Sequence, residues 1–201
     1  MKTIVYNKDC QNSIVQFRKL IHISGVLIPF LAGENLFGKK LMIALVVLGL
    51  AVYLVLEIFK KRLSRDTLLL VYRENEIKGF SIEPLSYIFS VLSLLSLSFF
   101  IDEKLCFAAI AIFAAGDGVA GVIGRRYGRH RLSFNKDKSW EGSLSGFAAA
   151  LLTGFYYAGP IAIIGSAFGM LAGAVNKHDN IAVPYAALIA MIMAQWIATL
   201  I

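Results

Sequence analysis

The residues able to do chemistry are few, and they interrupt otherwise apolar sequence. Asp117 lies in Gly116-Asp117-Gly118, inside a long apolar run. Glu141 follows Lys138-Ser139-Trp140, Asp179-Asn180 precedes the last apolar run, Glu57 ends the second, and His22 opens the first. A carboxylate in hydrocarbon is costly and must face protein, water or an ion. The glycines beside Asp117 remove bulk around its carboxylate, as the approach of an ion or a phosphate requires. Between these groups runs Gly124-Arg125-Arg126-Tyr127-Gly128-Arg129-His130-Arg131. Glycine lets a backbone come close, and arginine offers a fork of donors to phosphate oxygens. Carboxylates beside arginine and lysine suit a magnesium-bound polyphosphate, in which oxygens hold the hard cation and basic groups neutralise charge. Neither a Walker loop nor a dinucleotide-binding loop is present.

The elements that must carry these groups follow from composition. The chain has 201 residues, 58% hydrophobic and 16% charged, where a soluble domain carries about a quarter charged. Its apolar residues gather in runs of about 20, the length that crosses a bilayer core as a helix. The expected architecture is all-α and polytopic, with about seven transmembrane helices in a single membrane domain, 1-201, whose N-terminal segment, 1-19, is polar. The expected spans are Leu20–Phe37, Leu41–Phe59, Ile82–Ile101, Leu105–Gly124, Trp140–Tyr157, Ile161–Val175 and Ile181–Ile201. A charged connector, Lys60–Phe80, follows the second, and a basic loop, Arg125–Ser139, follows the fourth. Gly159-Pro160 makes a tight reversal. Arg18 and Lys19 before Leu20–Ala32 resemble the start of a signal peptide, but no strong cleavage site follows. The segment is therefore expected to stay as a helix.

Basic residues set the orientation. With the N-terminus inside, all of the 20 lysines and arginines except Lys39, Lys40 and Lys104 fall on the inner side. The N-terminus is then cytoplasmic, and His22, Glu57, Asp117, Glu141, Asp179 and Asn180 all lie near the same inner face. That convergence predicts one site on the cytoplasmic side of an integral membrane protein. The basic excess also attracts anionic lipids of the inner leaflet. Nucleic acid is a poor partner, because no base-reading element accompanies the charge. Cys10 and Cys106 fall on opposite sides, so no disulfide is expected within the chain.

Plainer readings stand beside these. Glu57 could pair with Lys60 or Lys61, Glu141 could serve the helix dipole, His22 could pack or cap, and Asp179 could cap the last helix. The arginine loop could be an anchor alone. Gly142 and Gly146, then Gly165, Gly169 and Gly173, recur every four residues and let helices approach closely. They could also pack against a second copy, as a homo-oligomer.

Four pieces together resemble a known family. They are Arg18-Lys19-Leu20-Ile21-His22; Gly116-Asp117-Gly118 with Ala120; Gly124-Arg125…Gly128-Arg129…Lys138-Ser139-Trp140-Glu141-Gly142-Ser143; and Asp179-Asn180-Ile181-Ala182-Val183-Pro184. The chain resembles the dolichol kinase, phytol kinase and CTP-dependent diacylglycerol kinase family, which is related to phosphatidate cytidylyltransferases. The resemblance implies magnesium-dependent phosphoryl transfer from a nucleoside triphosphate, often CTP, to the hydroxyl of a membrane lipid alcohol. That alcohol would be a polyprenol, a phytol-like isoprenoid or a diacylglycerol. On this reading Asp117 and Asp179, with Glu141 as a third candidate, contact magnesium. Arg125, Arg129, Lys138 and Ser139 bind the nucleotide. Asn180 orients an oxygen or a metal-bound water, and a carboxylate or His22 accepts the alcohol proton. One departure is Gly173-Ala174-Val175-Asn176, where many relatives have a glutamate. Two alternatives are a CTP:lipid-phosphate nucleotidyltransferase and a small ion-coupled transporter. The transporter predicts inverted repeats and midplane charges, and neither is evident here.

Overall fold

In a computed structural model, the described residues are 19–33, 38–64, 68, 72, 77, 79–176 and 178–200. Among them, helices are α1 (Lys19–Gly33), α2 (Gly38–Phe59), α3 (Ile82–Leu97), α4 (Glu103–Tyr127), α5 (Trp140–Ala158), α6 (Ala162–Val175) and α7 (Asp179–Leu200). Four apolar segments are long enough to cross a membrane: Gly38–Arg62, Glu103–Tyr127, Trp140–Val175 and Asp179–Leu200. Lys19–Gly33 and Ile82–Leu97 are apolar but shorter. The chain is thus an all-α polytopic membrane protein. The expected residues 34–37 of the first span, Cys10 and most of the connector lie outside the described residues.

Local sequence explains the breaks. α1 turns at Gly25-Val26. Pro29 has no N–H to donate to the Gly25 carbonyl, and that carbonyl instead accepts from Ile28 N at 3.1 Å. The 36-residue stretch Trp140–Val175 divides into α5 and α6 at Gly159, whose φ of 58° suits glycine, and Pro160 opens the short 3-10 turn that follows. Pro184 is the sixth residue of α7, so the Asn180 carbonyl lacks its helical donor and accepts from Ser90 Oγ at 2.7 Å instead.

The edges of several helices differ from the expected spans, α2 beginning at Gly38 rather than Leu41 and α7 at Asp179 rather than Ile181. α3 ends at Leu97, short of Ile101, with residues 98–100 in a turn. α4 exceeds Leu105–Gly124 at both ends. Asp102 caps its first turn by accepting from Lys104 N at 2.9 Å, and Arg125 and Arg126 complement the dipole at its last turn. Hydropathy alone undervalues such charged ends.

α4 is the central post. Every residue from Leu105 to Gly118 is buried, and it packs against α1, α3, α5, α6 and α7. Small residues make this possible. A Cβ on Gly142 would lie 2.7 Å from Ala120 O and 2.8 Å from Gly124 Cα, and one on Gly146 would lie 2.6 Å from Gly116 O. The α4 and α5 backbones therefore meet directly, the close packing that small residues permit in lipid. On α6, a Cβ on Gly165 would meet Met191 Cγ at 2.6 Å, and one on Gly173 would meet Val183 Cγ2 at 2.7 Å, so this glycine row seats α7.

Glu57 takes the plain reading. Lys60 Nζ donates to Glu57 Oε1 at 3.0 Å, Gly79 O at 2.8 Å and Ser81 Oγ at 3.0 Å. Tyr53 OH also donates to Ser81 O. This buried cluster ties the end of α2 to the segment that leads into α3.

Candidate active site

Asp117 lies on the α4 face turned toward α1. Lys19, the first residue of α1, donates from Nζ to Asp117 Oδ2 at 2.7 Å. His22, one turn further on, places Nε2 3.6 Å from the same oxygen. From the loop before α5, Lys138 Nζ stands 3.9 Å from Asp117 Oδ1 and donates to Asp179 Oδ2 at 2.9 Å. Asp179 is the first residue of α7. One ammonium thus bridges two carboxylates from separate helices, and a second holds the deeper one.

The glycines around Asp117 have a different use from the one expected. A Cβ on Gly116 would meet Met170 Sδ at 2.6 Å, and one on Gly118 would strike Ile23. Both admit packing partners rather than a ligand. Gly121 is the glycine that clears space beside the charge, because a Cβ there would lie 2.5 Å from Lys19 Cε.

These groups border an open cavity of about 530 Å³, within the range of small-molecule sites. Asp117, Arg125, Lys138, Ser139 and Asp179 all line it. Ser139 is also the N-cap of α5, accepting from Gly142 N at 3.2 Å. His22 sits behind Asp117, its ring against Tyr87 and Phe113 at centroid distances of 4.3 and 4.9 Å. Glu141 is not among the lining residues. Its carboxylate accepts from His130 N at 3.1 Å and lies 2.6 Å from His130 Nδ1. Arg129 is likewise absent from the lining.

Asn180 also turns away from the cavity. Its Nδ2 donates to Glu83 O at 2.8 Å and lies 3.2 Å from Glu83 Oε2 and 3.3 Å from Ser86 Oγ, while its own carbonyl accepts from Ser90 Oγ at 2.7 Å. These bonds fasten α7 to α3 beside Asp179. Substitution by alanine deletes the Nδ2 bonds, each worth about 0.5–1.5 kcal/mol, and leaves the backbone acceptor for Ser90 Oγ in place. Asn180→Ala is therefore expected to lower the unfolding midpoint in detergent. It should slow turnover through displacement of Asp179 while leaving triphosphate affinity less affected.

Lys19, within the Arg18–His22 motif, is a site residue that its position in the sequence does not mark. Glu83, Arg131 and Asp137 are further lining residues outside the expected set. A signal for Glu83 existed. Glu83, Ser86, Ser90 and Ser93 recur at helical spacing in an otherwise apolar segment, and this stripe faces α7, where Ser93 Oγ also meets Tyr185 OH at 2.5 Å.

Fold and site together define a polytopic membrane protein with a polar, charge-paired cavity among its helices. The chain is homologous to the plant phytol and farnesol kinase family. It is 34% identical over 151 residues to a probable chloroplastic phytol kinase 1 of Oryza sativa subsp. japonica, covering 70% of this chain and 46% of that protein. It is 36% identical over 141 residues to a probable chloroplastic phytol kinase of Zea mays, covering 67% and 45%. With a chloroplastic farnesol kinase of Arabidopsis thaliana it shares 28% identity over 158 residues, covering 70% and 48%. The chain spans about half the length of the curated relatives it matches. No family model matches it, and no solved structure does.

Proposed function

We propose that this protein transfers the terminal phosphoryl group of a nucleoside triphosphate, CTP by preference, to the hydroxyl of a membrane isoprenoid alcohol. The observation that carries the reading is the pairing of Asp117 and Asp179 with Lys19 and Lys138 at one cavity. Homology to proteins named as phytol and farnesol kinases supports the reaction class and the type of alcohol. The basic bias of the flanking segments supports a cavity facing the cytoplasm and anionic lipid around it.

The donor set suits magnesium of a particular kind. Among the described residues, no group of three or more His, Cys, Asp or Glu converges as a metal cage. Two carboxylates remain, and magnesium is usually held by one or two carboxylates together with substrate phosphates. Asp117 and Asp179 would hold it on the protein side, and when bound it would help neutralise the charge of the triphosphate. Lys19 and Lys138 now neutralise the two carboxylates. With a triphosphate present, the same ammonium groups are free to turn to phosphate oxygens, joined by Arg125 from the cavity wall. The alcohol oxygen bonds to the γ-phosphorus as the bond to the β-phosphate oxygen breaks, and the nucleoside diphosphate leaves. The hydroxyl proton passes to a carboxylate of this pair, since His22 lies behind Asp117 and off the cavity wall. The residues contribute mainly position and field rather than a strong base.

The test reconstitutes purified protein in phospholipid with magnesium, γ-labelled CTP or ATP, and phytol, farnesol or diacylglycerol in turn. Labelled lipid phosphate with release of the diphosphate is the expected result. Pyrophosphate release from a lipid phosphate acceptor would replace the kinase reading with nucleotidyl transfer. No label on any alcohol would reject it.

A further inference from the structure

The loop between α4 and α5 carries two apolar side chains with opposite fates. Leu132 is buried, at 2% exposure, whereas Phe134 is 61% exposed. Phe134 nevertheless lines the charged cavity, on the same space as Lys19, Asp117 and Lys138. The loop that presents it is firmly held. Leu132 N donates to Lys138 O at 3.0 Å, Lys138 N to Asn135 O at 3.1 Å, and Trp140 N to His130 O at 2.9 Å. Asn135 Nδ2 fastens the tip to Ala174 O at the end of α6, at 2.8 Å. Loop anchorage is thus already supplied by Leu132 and by backbone bonds, and Phe134 adds an uncovered aromatic face to the wall of a polar cavity.

We infer that Phe134 is the stacking platform for the nucleobase of the triphosphate donor. The inference rests on the triphosphate reading above and extends it from the phosphates to the base. Every nucleobase has a π-face, and stacking on an exposed aromatic ring is strong and tolerant of base identity. A loop already held by its backbone bonds and by Asn135 loses little further freedom when a base settles on the ring it presents. The groups assigned to phosphate and metal, Lys19 on α1, Asp117 and Arg125 on α4, Lys138 on this same loop and Asp179 on α7, border the same space as the ring. That arrangement suits a ligand with a polyanionic end and a flat aromatic end. The competing role for an exposed phenylalanine is an anchor in the lipid interface. It would affect every ligand of the cavity alike, or none.

The experiment measures binding to the purified full chain in detergent with magnesium, using CTP, UTP and inorganic tripolyphosphate as probes. Phe134→Ala is compared with Phe134→Trp. Phe134→Ala is expected to weaken CTP and UTP together, by about tenfold or more, and to leave tripolyphosphate unchanged. Phe134→Trp should retain nucleotide affinity. Equal weakening of all three probes, or no change in any, would overturn the platform while leaving the triphosphate site standing. If the unaltered chain binds none of the three, the triphosphate reading itself fails, and the platform with it.

Discussion

Asp117→Asn is expected to reduce phosphoryl transfer by at least about a hundredfold, the scale seen when a fixed electrostatic group is removed from a reacting centre. The substitution keeps the shape and an oxygen acceptor for Lys19 but deletes the charge to which Lys19, His22 and Lys138 are all directed. It also leaves Lys19, only 17% exposed at its side chain, without its counter-ion. Breaking a buried pair by removing one partner is costly, so stability should fall as well. The double variant with Lys19→Met isolates the stability effect, since Lys19 is itself assigned to the phosphates. With both charges gone, the unfolding midpoint should recover relative to Asp117→Asn, while turnover stays at background. Recovery of turnover together with stability, at saturating magnesium, would reduce Asp117 to a structural residue.

The second large effect is expected at the α4–α5 crossing. Gly142→Ala places a methyl 2.7 Å from Ala120 O and 2.8 Å from Gly124 Cα. Both atoms are backbone, so no side chain can rotate aside and the helices must part. Overpacking of this kind costs about 1–3 kcal/mol. The damage reaches the site because Asp117 rides on α4 and Lys138 immediately precedes α5. A lower midpoint should therefore come with a marked loss of turnover. Gly49→Ala is the matched control. A Cβ there meets nothing within 4 Å, and alanine favours helix by about 1 kcal/mol, so stability should hold or rise. Equal behaviour of the two variants would contradict the close crossing.

Much of this was legible in the sequence because bilayer physics writes in long, coarse signals. Apolar run length located the helices, and the expense of charge in hydrocarbon drew attention to Glu57, Asp117, Glu141 and Asp179 alike, of which Asp117 and Asp179 line the cavity. The glycine rows announced where backbones touch. Side-chain direction was less legible. Glu141 and Asp117 look alike as acidic residues near glycines, yet one reaches back to His130 in its own loop and the other meets α1. Asn180 follows Asp179 directly, but one step along a helix turns a side chain by about 100°, and Asn180 lands against α3. Lys19 was hidden for another reason. Its partner is 98 positions away, and a basic residue before an apolar run reads equally well as an ordinary interfacial anchor.

The central place of α4 bears on how the chain is made. The ribosome delivers α1, α2 and α3 first, then α4 with its acidic group, and only afterwards the loop bearing Lys138 and the helices α5 to α7. A nascent α4 without a cation nearby would bring an uncompensated anion into the lipid phase. Lys19, the anion's shortest ionic contact in the finished fold, belongs to a segment already synthesised. α1 can thus chaperone the insertion of α4, before α5 to α7 exist.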